Sequence, residues 1–175
     1  MKRFSAPLTA MAFLATCMLS AQAPAGPDPW AGLRFLVGTW ETKTSGGRAQ
    51  AASSGEYTFQ LELHDHVMGR QSGTGACKGP KDFDCQHSDL LYIYPAGKAQ
   101  AWQAIYFDNE GHVIHYDVSV SKPGLAVFLS DAAQPGPQFR LTYELGDKGM
   151  SGKFQVKMPG QDDFSSYLEW GGKQQ

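Results

Sequence analysis

The feature that most constrains this chain is an alternation of apolar and polar residues with a period of two, which recurs along most of the sequence after residue 38. In residues 56–63 four large apolar side chains share one face of an extended chain: Tyr57, Phe59, Leu61 and Leu63. Such alternation is typical of β-strands that are buried on one side. The sequence predicts about ten strands of this kind, over residues 39–44, 56–63, 67–75, 89–94, 102–106, 112–120, 125–130, 139–145, 150–158 and 164–170.

Residues that favour turns separate these strands. The chain has 20 Gly and 10 Pro, and they fall largely between the alternating segments, so that consecutive strands are joined by short connections. As an open sheet this meander would have two free edges, and closure into a barrel removes both. We therefore predict an all-β fold, a single up-and-down antiparallel β-barrel, with a β-sandwich as the alternative. Helical spacing of apolar residues predicts a short helix over residues 29–37.

The first 25 residues have the layout of a secretory signal peptide. Lys2 and Arg3 form a basic start, an apolar stretch follows, and small residues near 23–25 offer a cleavage site. We therefore predict an exported protein, periplasmic or secreted, whose folded domain covers residues 28–172. A lipid anchor at Cys17 is the less favoured alternative, and the mature chain contains no predicted transmembrane segment.

Two cysteines remain in the predicted mature chain. Cys77 and Cys85 flank a short segment that contains Gly79 and Pro80, which can turn the chain and bring its ends together. An even pair in an exported protein predicts a disulfide bond. A metal site built on these thiols would need two further soft ligands at similar spacing, and the sequence offers none there.

The charge balance and the motifs restrict the function. The chain has 15 Lys and Arg against 17 Asp and Glu, which gives no electrostatic reason to expect a nucleic-acid partner. It contains no Gly-x-Ser-x-Gly nucleophile motif, phosphate-binding loop or dinucleotide-binding pattern. We predict a monomer without a cofactor, and the sequence favours a non-catalytic role.

Residues 33–41 resemble the entry segment of the calycin superfamily, the lipocalins and their relatives. The resemblance is carried by Gly38 and Trp40, a Gly-x-Trp motif, and it extends to uncharacterised secreted bacterial lipocalin-like domains. It implies a short helical turn that leads into the first strand of a barrel, with the Trp at the barrel floor. Haem-binding relatives continue with glycine at every second position. Residues 41–44 do not, so the resemblance does not imply haem.

Aromatic residues on the predicted inward faces point to a ligand cavity. Buried tyrosines need partners for their hydroxyl groups, which fits a partly polar cavity better than a dry core. The candidate ligand-binding residues are Tyr57, Phe59, Tyr92, Trp102, Tyr106, Tyr116, Phe139 and Tyr143. We therefore predict a non-catalytic exported barrel that binds a small, largely apolar or amphipathic ligand.

Two alternatives stay open. A barrel enzyme or metal-binding protein would use His115 with Asp117, which share one face of a strand, or His64 with His66. If apolar residues point inward, however, His115 and Asp117 point to solvent. The second alternative is an accessory protein of the cell envelope that acts through its outer surface, which an exposed apolar patch would favour.

Overall fold

The computed structural model describes residue 26 and residues 28–97, 101–132 and 136–175, so the predicted signal peptide lies outside it. A 3₁₀ turn, Arg34–Leu36, precedes ten strands: β1 (Gly38–Gly46), β2 (Ala52–Glu62), β3 (Val67–Lys78), β4 (Ser88–Pro95), β5 (Trp102–Asp108), β6 (Val113–Lys122), β7 (Leu125–Ser130), β8 (Gln138–Gly146), β9 (Gly149–Lys157) and β10 (Ser165–Gln174). Each strand pairs antiparallel with the next, and β1 pairs with β10.

The predicted all-β class and the single up-and-down barrel are therefore confirmed, and the β-sandwich alternative is wrong. The helix predicted over residues 29–37 is reduced to turns and the single 3₁₀ turn. The fold is compatible with a lipocalin-like barrel. Among the described residues, no helix has the length and apolar character needed to cross a membrane.

The segment before β1 plugs one end of the barrel, which we call the closed end. Trp30, Leu33 and Leu36 are fully buried there. The Trp30 indole N–H donates to the backbone carbonyl of Asp65 at 2.7 Å, in the turn between β2 and β3. Because these side chains bury apolar surface that the barrel would otherwise expose, they seal this end against water.

The Gly-x-Trp motif has a physical explanation at the closed end. Gly38 begins β1 with φ of +131°, and a Cβ at this position would overlap the side-chain amide of Gln174 on β10. Glycine meets both demands because it tolerates positive φ and has no side chain. Trp40 is buried and donates its indole N–H to the Leu36 carbonyl at 2.9 Å, which fastens the plug to the first strand.

The opposite end of the barrel, which we call the mouth, carries the longest described connection. Residues 79–87 join β3 to β4 there, and the sulfur atoms of Cys77 and Cys85 lie 2.05 Å apart at its base. The predicted disulfide pair is thus at bonding distance. The cross-link shortens the free part of this loop and limits its conformational freedom.

The register of β9 and β10 sets one wall of the interior. Gly152 is directly opposite Trp170, and a Cβ at Gly152 would overlap the indole ring. The absence of a side chain at Gly152 therefore creates the space that Trp170 occupies. Replacement would force the ring out of its position, because a Cβ and the indole atoms cannot occupy the same space.

We expect Gly152→Ala to lower the free energy of unfolding by about 1–3 kcal/mol, the usual cost of overpacking. The control is Gly171→Ala on β10, where a Cβ would meet no atom within 4 Å; it should be neutral or slightly stabilising because alanine restricts the unfolded chain. Urea unfolding followed by circular dichroism measures both. Equal midpoints for Gly152→Ala and the wild-type protein would contradict the proposed close packing.

Candidate functional site

A cavity of about 460 Å³ lies inside the barrel between the core and the mouth. Its volume is within the range usual for small-molecule sites. Aromatic side chains supply much of its lining: Tyr57, Tyr106, Tyr116, Phe139, Phe154 and Trp170. Ionisable side chains lie among them and at the mouth: Asp84, His87, Asp89, Asp108, Glu110 and His112. The cavity therefore combines apolar surface with a concentration of charged groups.

The structure brings together part of the predicted ligand-binding set. Four of the eight residues line the cavity: Tyr57, Tyr106, Tyr116 and Phe139. Three others are buried in the core but do not line the cavity: Phe59, Trp102 and Tyr143. The eighth, Tyr92, lies on the outer face of β4, because Leu91 and Ile93 occupy the inward positions of that strand. The prediction that Tyr92 points inward is wrong for this reason.

A buried ion pair forms the polar centre of the barrel. The side chains of Arg70 on β3 and Asp89 on β4 are 5% and 9% exposed. The Arg70 guanidinium donates to the Asp89 carboxylate and to the Tyr143 hydroxyl. Burial alone would raise the pKa of Asp89, but the charge of Arg70 and hydrogen bonds from His87 and Ser72 hold it below its usual value. Both groups are therefore charged inside the barrel.

A chain of polar side chains continues from this pair to the mouth. Nε2 of His87 lies 3.3 Å from the Asp89 carboxylate and 3.1 Å from the Tyr106 hydroxyl. That hydroxyl donates to Asp108 at 3.2 Å, and Nδ1 of His112 lies 2.9 Å from the same Asp108 oxygen. Such networks fix the orientation of their members, because each group has its partners in place.

The electrostatics of this chain favour a charged His87. Its hydrogen bond to Asp89 is the main cause of a raised pKa for His87, and burial opposes this only in part. For Tyr106, burial comes first and the nearby carboxylates of Asp89 and Asp108 add to it, so that the pKa of its hydroxyl is well above the usual value. At neutral pH Tyr106 is thus a neutral donor between two carboxylates.

Three buried polar atoms of the cavity lining have no hydrogen-bond partner among the described residues. They are the Tyr57 hydroxyl, Nε of Arg70 and Nε1 of Trp170. Burial raises the pKa of Tyr57, and the Trp170 indole partly offsets this, although the two groups do not reach hydrogen-bond geometry. Unsatisfied buried polar atoms are rare and costly. All three atoms can donate a hydrogen bond, and all three belong to residues that line the cavity.

A larger concavity, of about 1,300 Å³, runs along β1, β2, β3, β9 and β10. Glycine and short polar residues supply most of its lining, and no aromatic side chain of the described residues contributes to it. It is also more open to solvent than the interior cavity. The interior cavity is therefore the candidate site, because it encloses apolar surface and the unpartnered donors together.

The histidines of the alternative hypotheses lie away from this site. His64 and His66 occupy the exposed turn between β2 and β3 at the closed end. His115 and Asp117 are exposed on the outer face of β6, as expected once Tyr116 points inward. None of the four lines the cavity.

Sequence reasoning missed the ion pair, although the sequence contains a signal for it. The β2–β3 hairpin places Arg70 directly opposite Phe59, and cross-strand partners share a face of the sheet. An inward Phe59 therefore requires an inward Arg70. Asp108 has a different signal in the sequence. It lies two residues after Tyr106 and so continues the inward series of Trp102, Ala104 and Tyr106 along one strand.

Loss of one member of the buried pair should be costly. Arg70→Met leaves the Asp89 carboxylate buried without its partner, and we expect the free energy of unfolding at pH 7 to fall by about 3–5 kcal/mol. The double variant Arg70→Met/Asp89→Leu removes both charges and should recover most of this loss.

Urea unfolding measures these variants. The control is Lys122→Met, which breaks an exposed ion pair with Glu144 at 2.7 Å and should cost about 1 kcal/mol or less. A double variant as unstable as Arg70→Met alone would show that the loss comes from packing and not from an unpaired charge.

The raised pKa of His87 predicts a pH-dependent contribution to stability. Since the folded state holds the proton more tightly, this contribution is complete below about pH 6.5 and is lost as the pH rises through the folded pKa. His87→Gln should therefore destabilise the protein more at about pH 5.5 than at about pH 8.5.

Urea unfolding at the two pH values, with NMR titration of the His87 ring, tests this directly. In Asp89→Asn, which lacks the carboxylate responsible for the shift, the His87 titration midpoint should fall. The same midpoint in both proteins would contradict the assignment of the shift to Asp89.

Comparison with known proteins adds no identification. No protein-family model matches the chain, and a search of curated proteins finds no match.

Proposed function

We propose that this protein is an exported, lipocalin-like member of the calycin superfamily that binds a small molecule in its barrel cavity. The ligand has a mainly apolar body and carries a hydrogen-bond acceptor. Its body packs against the aromatic lining, and its acceptor faces the unpartnered donors of Tyr57, Arg70 and Trp170. The Gly38-x-Trp40 motif and the closed barrel support the assignment to the superfamily, and the predicted signal peptide with the Cys77–Cys85 pair supports export.

The observation that carries the proposal is the location of the three unpartnered donors. Tyr57 and Arg70 are both more than nine-tenths buried, and their free atoms belong to residues that line the cavity. A ligand acceptor would recover the hydrogen bonds that these groups lose on burial, each worth about 1 kcal/mol net. An apolar core without a ligand would gain nothing from donors in this position.

The charge of the cavity restricts the acceptor to a neutral one. Five carboxylates of the described residues line the cavity and its mouth: Asp82, Asp84, Asp89, Asp108 and Glu110. Among the described lining residues Arg70 supplies the only guanidinium and no lysine contributes. Asp89 already neutralises Arg70. A negatively charged ligand would be repelled. A carbonyl or ether oxygen satisfies the donors without that repulsion.

Nile red is a suitable probe, since it is neutral and aromatic, carries a carbonyl acceptor and becomes fluorescent in apolar surroundings. We expect one molecule to bind per protein. Tyr57→Phe and Trp170→Phe each remove one donor and keep an aromatic ring, so each should weaken binding by about fivefold to tenfold. Anilinonaphthalene sulfonate, which carries a negative charge, should bind more weakly than Nile red by at least about tenfold.

Two controls separate the cavity from the outer surface. Tyr92→Phe removes a hydroxyl on the outer face, and Phe107→Ser removes an exposed aromatic ring outside the cavity. Both should bind Nile red like the wild-type protein. If Phe107→Ser abolishes binding while Tyr57→Phe does not, the probe occupies the outer surface and the proposal is wrong. If the variants instead place the probe in the cavity, native mass spectrometry of protein purified from its own host would identify the natural ligand.

The outer surface supports a second, weaker candidate function. Leu90, Phe107 and Val113 are exposed, and their register places them side by side across β4, β5 and β6. An exposed apolar row of this kind favours contact with another surface, as an accessory protein of the envelope would require. The row lies outside the cavity, so the Phe107→Ser variant distinguishes the two roles.

A further inference from the structure

Three ligand-type side chains meet at the mouth of the cavity. Asp84 and His87 come from the β3–β4 connection, and Glu110 comes from the turn between β5 and β6. One ligand atom from each lies within 4.8 Å of the other two, and Nδ1 of His87 is 3.6 Å from the Glu110 carboxylate. Ligand atoms about 2.0–2.2 Å from a tetrahedral zinc ion lie about 3.3–3.6 Å apart. The spacing therefore approaches that of a metal centre before any ion binds.

From this arrangement we propose that Asp84, His87 and Glu110 bind a divalent transition-metal ion at the mouth of the barrel. Imidazole together with carboxylates suits zinc and its neighbours in the periodic table, whereas calcium and magnesium prefer oxygen ligands alone. Three protein ligands leave at least one coordination position for water or for a group of a bound molecule.

The surroundings of His87 provide an independent argument. Its other ring nitrogen, Nε2, faces the Asp89 carboxylate at 3.3 Å, and Asp89 is held in turn by Arg70. Metal-binding histidines almost always donate their second N–H to a carboxylate, carbonyl or water, which fixes the ring. The metal ion displaces the proton that a charged His87 carries on Nδ1, and this proton is released to solvent. The buried Arg70–Asp89 pair lies outside the three ligands and performs this orienting role.

The two loops are fixed to each other beside the proposed ligands. The Asn109 side-chain amide donates to the Asp84 carboxylate at 3.0 Å and to the Gln86 carbonyl at 3.5 Å. The Cys77–Cys85 pair restrains the same connection one residue from Asp84. The ligand positions therefore do not depend on a freely moving loop, so that little ordering entropy opposes binding.

A second set of ligand-type residues, Asp108, Glu110 and His112, shares Glu110 with the first. In that set Asp108 already accepts hydrogen bonds from the Tyr106 hydroxyl and from the backbone and ring of His112. Asp84 also accepts hydrogen bonds, from the Gln86 backbone and the Asn109 amide, so hydrogen bonding does not separate the two sets. Burial does, because Glu110 and His112 are both exposed in the second set, whereas Asp84 and His87 are half-buried in the first. We therefore assign the metal to Asp84, His87 and Glu110.

Isothermal titration of the oxidised, EDTA-treated protein with zinc chloride tests the assignment. We expect one zinc ion per protein, with binding of calcium chloride weaker by at least about a hundredfold. His87→Ala and Glu110→Ala should each weaken zinc binding by at least about tenfold. Glu110 is half exposed, so its variant keeps the test valid if His87→Ala does not fold. Circular dichroism of the metal-free variants establishes folding.

The control variant His64→Ala/His66→Ala removes the two exposed turn histidines and should bind zinc like the wild-type protein. Loss of zinc binding in this control would place the metal at the closed end and overturn the proposal. Wild-type affinity in Glu110→Ala would overturn it as well, as would a loss in His112→Ala that exceeds the loss in His87→Ala. Each outcome is independent of Nile red binding.

Discussion

The pairing of β1 with β10 is the constraint on which the rest of the structure depends. It joins Trp40 near the start of the described chain to Gln174 near its end. Closure converts a curved sheet with two faces into a wall with an inside and an outside, and it leaves no free edge. The inward side chains of all ten strands, which alternate along each strand except where the register shifts, then share one interior. The cavity, the ion pair and the unpartnered donors all follow from that shared interior.

The two ends of this interior differ because, among the described residues, apolar side chains fill one end and not the other. Trp30, Leu33 and Leu36 close one end with apolar side chains, so polar groups on the inward faces can meet water only at the other. Arg70 lies where these regions meet, with Tyr143 of the core on one side and Asp89 on the other. A buried guanidinium is tolerated in this position because the Asp89 carboxylate, on the side of the mouth, compensates its charge.

The strands, their order and most inward faces could be predicted because alternation in a half-buried strand is a local pattern. β4 shows where the pattern fails: Tyr92 and Leu91 belong to opposite faces, both faces carry large apolar residues, and local periodicity cannot choose between them. The polar chain from Arg70 to His112 was missed for a different reason. Its residues look like isolated charges or turn residues in sequence, and only the cross-strand register brings them together.

The same register places two different groups of polar side chains at different depths along the barrel axis. Deeper in the barrel, the buried atoms of Tyr57, Arg70 and Trp170 that have no partner among the described residues can all donate, and in our proposal they select an acceptor. At the mouth the carboxylates of Asp84 and Glu110 face a histidine, which selects a cation. Since Asp89 neutralises Arg70, the positive charge of Arg70 does not repel a cation at the mouth. In the proposed complex the ligand therefore enters with its acceptor first, and the part of the ligand that remains at the mouth lies beside the proposed metal ligands.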